Sequence, residues 1–208
     1  SEEETPFHWR DIKLPKAPTK PIKYLNDEER LLIRSWFDSS GYENIAWLRT
    51  RTVFELLLST GMRIGELTPL NIEDVDWKTR EIPIINVKTK DEEVVYLTDT
   101  SIHWLKKYLR ARRDGLPCLF VSGRGRLLEV TSKERLRQVG REAGLIKKNL
   151  NHSIIRKTFV TLLIEAGVHI KAVQGLSRHK SPRTTLQHYA VYDARKAKVY
   201  HQEAMSRI

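Results

Sequence analysis

The chain has 208 residues, 40% of them hydrophobic, which is enough for one domain of ordinary size with a sizeable core. Its single cysteine excludes an internal disulfide, and no apolar run of about eighteen residues predicts a membrane span. A total of 37 Lys and Arg residues against 26 Asp and Glu residues gives a formal net charge of +11, which favours a polyanionic partner such as nucleic acid.

The first half of the chain predicts a linker followed by three helices. Residues 1–23 contain four prolines, three of which alternate with lysines in residues 13–23, and are typical of an extended linker or arm. From Asn26 the pattern is helical, with acidic residues in the first turn and an apolar stripe of Leu31, Leu32, Trp36 and Phe37. A second helix ends at Gly61, and a third, short helix begins near Arg63.

The second half predicts a hairpin and then further helices. Residues 81–87 and 93–97 are β-branched and flank a polar turn, which is typical of an antiparallel hairpin. Thr131 and Glu134 have capping-box spacing, and Ser181-Pro182 is typical of a helix start. The predicted helices occupy residues 101–113, 131–144, 154–167, 182–189 and 193–208.

Five side chains form a candidate reagent set. Arg63 follows a helix end, Lys88 lies at the mouth of the hairpin, Arg156 interrupts an apolar helix face, and His179 and Tyr189 share a basic segment. Arginine pairs bind phosphate oxygens, a tyrosine phenolate can attack phosphorus, and lysine and histidine can transfer protons. Taken singly, each residue also fits a structural role on the surface, in a turn or in the core.

The order of these five residues and the segments around them resemble the catalytic domain of the tyrosine recombinase (phage integrase) family. The segments that carry the resemblance are STGMRIGEL (59–67), VKTKDEEVVYL (87–97), LFVSGRGRLL (119–128) and the long run from Ile154 to Ala190. The resemblance as a whole covers about residues 24–190. The resemblance implies a mainly α fold with a small antiparallel β-sheet (α+β). It also implies a tyrosine nucleophile nine or ten positions after the histidine of the family's Leu-Gly-His box, which is His179 here. That spacing selects Tyr189, ten residues after His179, over Tyr192 at thirteen, while His188 occupies the ninth position.

The resemblance also implies a function. Tyr189 would cleave and rejoin DNA through a 3′-phosphotyrosyl bond, with Arg63 and Arg156 binding the phosphate, Lys88 protonating the leaving oxygen and His179 assisting. No cofactor, metal or ATP is expected, and the implied partners are double-stranded DNA and further copies of the chain, as a tetramer on two DNA sites. We expect a cytoplasmic, nucleoid-associated protein, since the acidic N-terminal stretch lacks a signal-peptide core. The expected DNA-contacting residues are Lys90, Arg124, Lys157, Arg178, Lys180 and Arg183.

Three positions depart from the family pattern. The family usually has a histidine three residues before the second arginine, where this chain has Ser153. Either His152 takes the role from one position upstream, or the role is lost or reduced to a serine hydroxyl. Lys157 replaces a frequent histidine, and Arg178 replaces the small residue of the family's Leu-Gly-His box.

The expected organisation is a linker or arm in residues 1–23, a catalytic domain in residues 24–192 and a basic helical tail in residues 193–208 that docks onto a neighbouring copy. The first segment resembles the connection to the family's N-terminal core-binding domain, so the chain is expected to be a catalytic fragment. Two other functions stay open: relaxation of one duplex, as by a type IB topoisomerase, and DNA binding without catalysis.

Overall fold

The computed structural model describes residues 22–40, 44–85, 92–123, 125–145 and 148–206. Within them helices predominate, and the strands form two short antiparallel pairs, which confirms the predicted fold class. The helices are α1 (Asp27–Ser39), α2 (Ile45–Thr60), α3 (Ile64–Leu67), α4 (Asp99–Ala111), α5 (Glu129–Glu142), α6 (His152–Glu165), α7 (Ile170–Leu176) and α8 (Pro182–Met205). The strands are β1 (Glu81–Ile85), β2 (Glu92–Tyr96), β3 (Val121–Ser122) and β4 (Gly125–Arg126).

The chain divides into two compact units, of which the first comprises Lys23–Arg178. His179 and the residues after it belong to the second unit. The predicted arm in residues 1–23 lies almost wholly outside the described residues. No helix in the described part of the chain combines the length and apolar character needed to cross a membrane.

Helix α2 is the central element of the first unit. It packs against α4, α5, α6 and β2, and nearly every side chain from Leu48 to Thr60 is buried. A helix buried on all sides is largely apolar, which explains its run of leucines and phenylalanine, and the charged Arg51 and Glu55 that it also buries pair with each other. The Asn44 side chain caps its start by accepting from the Ala46 backbone N–H at 2.8 Å.

Gly61 ends α2 in a conformation and a space that both require glycine. Its φ is 60°, in the left-handed region, and a Cβ at this position would lie 2.2 Å from Cδ1 of Phe159 on α6. The chain therefore turns sharply against α6 before it reaches Arg63. The Gly61 carbonyl points the same way, and it becomes a hydrogen-bond acceptor in the site described below.

The predicted hairpin is present as β1 and β2, with Ile84 opposite Glu93 and Ile82 opposite Val95. Side chains alternate along β2, so Val95 is buried while Val94 and Tyr96 are exposed. Glu93 shares the inward face with Val95. A charged residue on this face needs a partner within the fold.

Helix α8 is the element described in the second unit. It begins at Pro182 as the sequence predicts, and its backbone continues to Met205 through the expected tail without a break at residue 192. The division into a domain to residue 192 and a tail from residue 193 stays a prediction.

One local prediction is partly wrong and a second is wrong. Of the stripe predicted on α1, Phe37 is buried, but Leu31 is 62% and Leu32 44% exposed, because the buried face carries Ile33 in their place. Helix α5 begins at Glu129 rather than after Thr131, since the Leu128 carbonyl already accepts from the Ser132 backbone N–H.

Candidate active site

Arg63 lies between two helices, two residues beyond Gly61 and at the N-cap of α3. The Glu66 carboxylate, one turn into α3, accepts from the Arg63 backbone N–H at 2.8 Å and from Nη1 at 2.6 Å. Nη2 donates to the Arg178 carbonyl at 3.0 Å. The side chain nevertheless keeps 45% exposure. Arg63 is therefore held by hydrogen bonds within the fold while part of its side chain faces solvent.

Arg156 projects from α6 and is half-buried. Its Nη1 donates to the Gly61 carbonyl and its Nη2 to the Ser177 carbonyl. Among the described residues no carboxylate lies within ion-pair distance of this guanidinium. Burial first, and then the positive charges of Arg63 and Arg178, lower the pKa of Arg156 to about 10. Within the described part of the chain, the hydrogen-bond partners of this cation are carbonyl groups, and an anionic ligand would stabilise it further.

Arg178, at the junction after α7, has a side chain that is 3% exposed. Nη2 forms an ion pair with Glu66 at 2.9 Å, and Nε lies 3.5 Å from a carboxylate oxygen of Glu93. The expectation that Arg178 contacts DNA stays a prediction, but its guanidinium is occupied by carboxylates of the fold itself.

The cluster thus contains two carboxylates, Glu66 and Glu93, and three arginines, which leaves it one net positive charge. Burial alone would raise the pKa of Glu66, but the charge of Arg178 and hydrogen bonds from Arg63 and Arg178 outweigh it and hold the pKa below its usual value. Glu66 was visible in the motif that contains Arg63. Glu93 was missed, although a charged residue on the inward face of a strand was a signal for it.

His152 is the first residue of α6 and lies one helical turn before Arg156, on the same side of the helix. Its Nε2 is 2.9 Å from Oγ of Ser132 on α5. Burial, and next the charge of Lys133, lower the pKa of His152 to about 4, so the ring is neutral at pH 7. Ser153 is exposed. The catalytic assignment of His152 stays a prediction, and the hydrogen bond to Ser132 is what orients its ring.

The second unit holds His179 and Tyr189. His179 Nδ1 lies 2.9 Å from Oγ1 of Thr185, and the His179 and His188 rings stack with centroids 6.2 Å apart. Thr185 and His188 are buried, and Tyr189 is half-buried. Because Thr185 precedes His188 by three residues and Tyr189 by four, all three share one side of α8. The helix therefore brings the candidate nucleophile and the supports of His179 to the same face.

The remaining predicted residues are less constrained. Lys157 is half-buried on α6, while Lys180 and Arg183 are exposed. Lys88, Lys90 and Arg124 lie outside the described residues. Their roles stay predictions.

The first unit is thus a mainly α domain in which arginines of three segments, Arg63, Arg156 and Arg178, form one cluster with Glu66 and Glu93. The family model "Phage integrase family" matches residues 25–195 of this chain. The chain belongs to the phage integrase family, as its sequence motifs predict.

Several relatives are similar over most of the chain. Tyrosine recombinase XerC of Chlamydia pneumoniae is 32% identical over 198 residues, covering 92% of this chain and 61% of the relative. Tyrosine recombinase XerA of Pyrococcus horikoshii is 29% identical over 178 residues, covering 84% and 59% respectively. The chain therefore spans about three fifths of the length of these relatives.

Solved structures agree on the fold. A crystal structure of XerA recombinase superposes with a TM-score of 0.73 at 27% identity, covering 89% of this chain and 66% of that one. The XerH site-specific recombinase, solved on a palindromic difH substrate as a post-cleavage complex, also gives a TM-score of 0.73, at 23% identity and with 89% and 53% coverage.

Proposed function

We propose that this chain cleaves and rejoins DNA strands through a covalent 3′-phosphotyrosyl intermediate, with Tyr189 as the nucleophile. The observation that carries the proposal is Arg156, a half-buried cation near Arg63 and Arg178 with no carboxylate partner among the described residues. A backbone phosphate is the anion that such a cluster would bind, because guanidinium groups match its oxygens in pairs.

In the proposed step the Tyr189 phenolic oxygen gives its proton to solvent and attacks phosphorus, and the bond from phosphorus to the 5′-oxygen breaks. Lys88 supplies the proton that the 5′-oxygen takes up. Arg63 and Arg156 stabilise the charge on the pentacoordinate phosphorus, and His179 hydrogen-bonds the phosphoryl group. The reverse reaction, with a 5′-hydroxyl as nucleophile, reseals a strand and restores the tyrosine.

This scheme needs no nucleotide cofactor. The phosphotyrosyl ester keeps the bond energy of the cleaved phosphodiester, so resealing requires no ATP. Fixed cationic side chains take the role that Mg²⁺ has in other phosphoryl-transfer sites. We accordingly expect strand cleavage to persist in EDTA and without nucleotide.

The proposed substrate is double-stranded DNA, which the formal net charge of +11 favours. The relatives are called tyrosine recombinases, and neighbours such as XerH and the Tn1549 transposon integrase were solved on DNA. By analogy we propose site-specific recombination by four protomers on two DNA sites. In the same scheme residues 1–23 link the catalytic domain, residues 24–192, to a DNA-binding partner domain, and residues 193–208 dock onto a neighbouring protomer.

The test is covalent trapping on a pool of duplexes that carry a randomised core and one nick. Cleavage near the nick releases a short fragment, so the adduct cannot reseal and accumulates. We expect the 208-residue chain to form a DNA adduct that survives denaturing electrophoresis and whose DNA can be sequenced. Tyr189→Phe should form none, whereas Tyr96→Phe, at an exposed tyrosine of β2, should match the wild type.

The outcomes separate the alternatives. An adduct that persists in Tyr189→Phe but disappears in Tyr192→Phe would move the nucleophile to residue 192. DNA binding without any adduct would favour a DNA-binding protein that lacks catalysis. Adduct formation with relaxation of a supercoiled plasmid, but with no exchange between two trapped sites, would favour the topoisomerase-like activity.

A further inference from the structure

Arg178 combines two features that rarely occur together. Its φ is 51°, in the left-handed region that favours glycine, and its guanidinium is almost entirely buried. Among the described residues, Arg80 is the other non-glycine residue with a positive φ, at 62°. The Arg80 side chain is 54% exposed and pairs with the exposed Asp99 at 2.5 Å. The two arginines share a backbone conformation and differ in what they contact.

The backbone around Arg178 supports both phosphate-binding arginines. The Ser177 carbonyl accepts from Arg156, and the next carbonyl along the chain, that of Arg178 itself, accepts from Arg63. A change of φ at residue 178 would turn the second carbonyl relative to the first. The left-handed conformation therefore sets the spacing between the points that hold the two guanidinium groups.

The side chain of Arg178 reaches the opposite supports of the same two arginines. It pairs with Glu66, which holds Arg63 by two hydrogen bonds, and it approaches the Gly61 carbonyl, which accepts from Arg156, at 3.4 Å. It also balances the charge of Glu66. A carboxylate beside a phosphate site repels the substrate unless a cation neutralises it, and this effect is strongest in a partly buried site.

We propose that Arg178 is a positioning residue, which fixes Arg63 and Arg156 for the phosphate and neutralises Glu66 so that this carboxylate does not oppose phosphate binding. The inference rests on the proposed function for the identity of the ligand. Because its side chain is 3% exposed, Arg178 acts in this proposal through these neighbours, in place of the direct DNA contact that the sequence predicts.

The variants separate backbone strain, charge and geometry. Arg178→Gly relieves the left-handed strain and removes the cation, whereas Arg178→Lys keeps a charge without the planar fork. Arg80→Gly is the matched control, since it relieves the same strain at an exposed ion pair. The double variant Arg178→Gly/Glu66→Gln also removes the negative charge of Glu66, which Arg178 no longer neutralises.

The first readout is the binding of inorganic phosphate, measured as the increase in the melting temperature of the folded chain. This measurement does not depend on DNA cleavage. Wild type and Arg80→Gly should be stabilised equally by phosphate. Arg178→Gly should bind phosphate on the order of tenfold more weakly, Arg178→Lys should lie between them, and the double variant should recover part of the loss. Equal binding by Arg178→Gly and Arg80→Gly would overturn the inference.

The second readout is adduct formation against pH. Arg178→Gly should slow cleavage by on the order of 10²-fold, and the fall in rate at acidic pH should begin at higher pH. Glu66 would then face Arg63 alone, with Arg156 and Glu93 as the other charges of the cluster, so its pKa would rise and it would release Arg63 earlier. A purely structural role would lower the amount of folded protein but leave this pH profile unchanged.

The two proposals can fail separately. A wild type that binds phosphate but traps no DNA contradicts the proposed function and leaves the phosphate-binding comparison to decide the role of Arg178. If Arg178→Gly does not fold, Arg178→Lys decides: phosphate binding and a pH profile equal to those of the wild type would contradict the positioning role.

Discussion

Two glutamates of the first unit, Glu55 and Glu66, each bind two arginines, yet the two clusters differ in what they leave unbalanced. Glu55 is 2% exposed and pairs with Arg34 at 2.8 Å and with Arg51 at 3.1 Å. The guanidinium of Arg51 also lies over the rings of Phe37 and Trp104, at 5.0 and 4.7 Å from their centroids. Every charge in this cluster is in contact with carboxylate or aromatic groups of the fold.

The Glu66 cluster contains an additional cation. The hydrogen bond that Arg34 donates to Glu55 is the main cause that raises the pKa of Arg34, whereas burial and neighbouring arginines lower the pKa of Arg156 to about 10. A raised pKa marks an arginine that the fold stabilises in its charged form, and a lowered pKa marks one that is charged at a cost. This difference supports the proposal that Arg156 is available to an anionic ligand.

The largest expected effect comes from Arg156→Gln. Adduct formation should fall by roughly 10²–10³-fold, because one donor to the developing phosphate charge is lost. The free energy of unfolding should change by less than about 1 kcal/mol, since two lost hydrogen bonds are offset by removal of a crowded buried cation. Trapping on nicked DNA and urea unfolding measure the two quantities. Full activity, or severe unfolding, would remove the distinction between the clusters.

Arg51→Met should lower the stability of the fold strongly and leave phosphate binding unchanged, the opposite of Arg156→Gln. Glu55 would keep only Arg34, and an incompletely paired buried carboxylate costs about 3 kcal/mol of unfolding free energy. The double variant Arg51→Met/Glu55→Leu should regain much of that loss, because apolar groups can replace a buried ion pair. Urea unfolding checks both, and the residual folded protein should bind phosphate with unchanged affinity. Weakened phosphate binding by folded Arg51→Met would show that the clusters are coupled.

His152 makes the charge of the Glu66 cluster depend on pH. When it is protonated, it adds a further positive charge one turn before Arg156. Its pKa falls from the ordinary 6.5 to about 4 in the folded chain. Because the unfolded chain binds the proton first, its contribution is complete above pH 6.5 and is lost progressively as the pH falls towards 4. The loss should reach up to about 3 kcal/mol.

His152→Gln should remove this part of the pH dependence of urea unfolding, whereas His103→Gln, at an exposed position of α4, should retain it. A slope that is the same in wild type and His152→Gln would mean that another group titrates.

The helix boundaries and the position of Arg156 could be predicted from the sequence, because they depend on residues that are neighbours in the chain. The sequence predicts the start of α1 after Asn26, the end of α2 at Gly61 and the start of α8 at Pro182, and it predicts Arg156 as an arginine in an apolar face. The pairing of Arg178 with Glu66 was not predicted, since the two residues are 112 positions apart and only tertiary packing brings them together. Thr131 likewise had capping-box spacing, but the helix began earlier, where the Leu128 carbonyl could accept a bond.

The smallest effect is expected in the second unit, at Thr185. Its hydroxyl lies 2.9 Å from Nδ1 of His179 and is a neutral partner, unlike the carboxylates that hold the arginines. Thr185→Val keeps the buried shape but loses this hydrogen bond, so adduct formation should slow by about tenfold, the equivalent of one bond of ordinary strength. Thr184→Val, at an exposed neighbour, is the control and should retain the wild-type rate. A loss as large as that of Arg156→Gln would mean that the orientation of His179 limits catalysis as strongly as the phosphate-binding charge does.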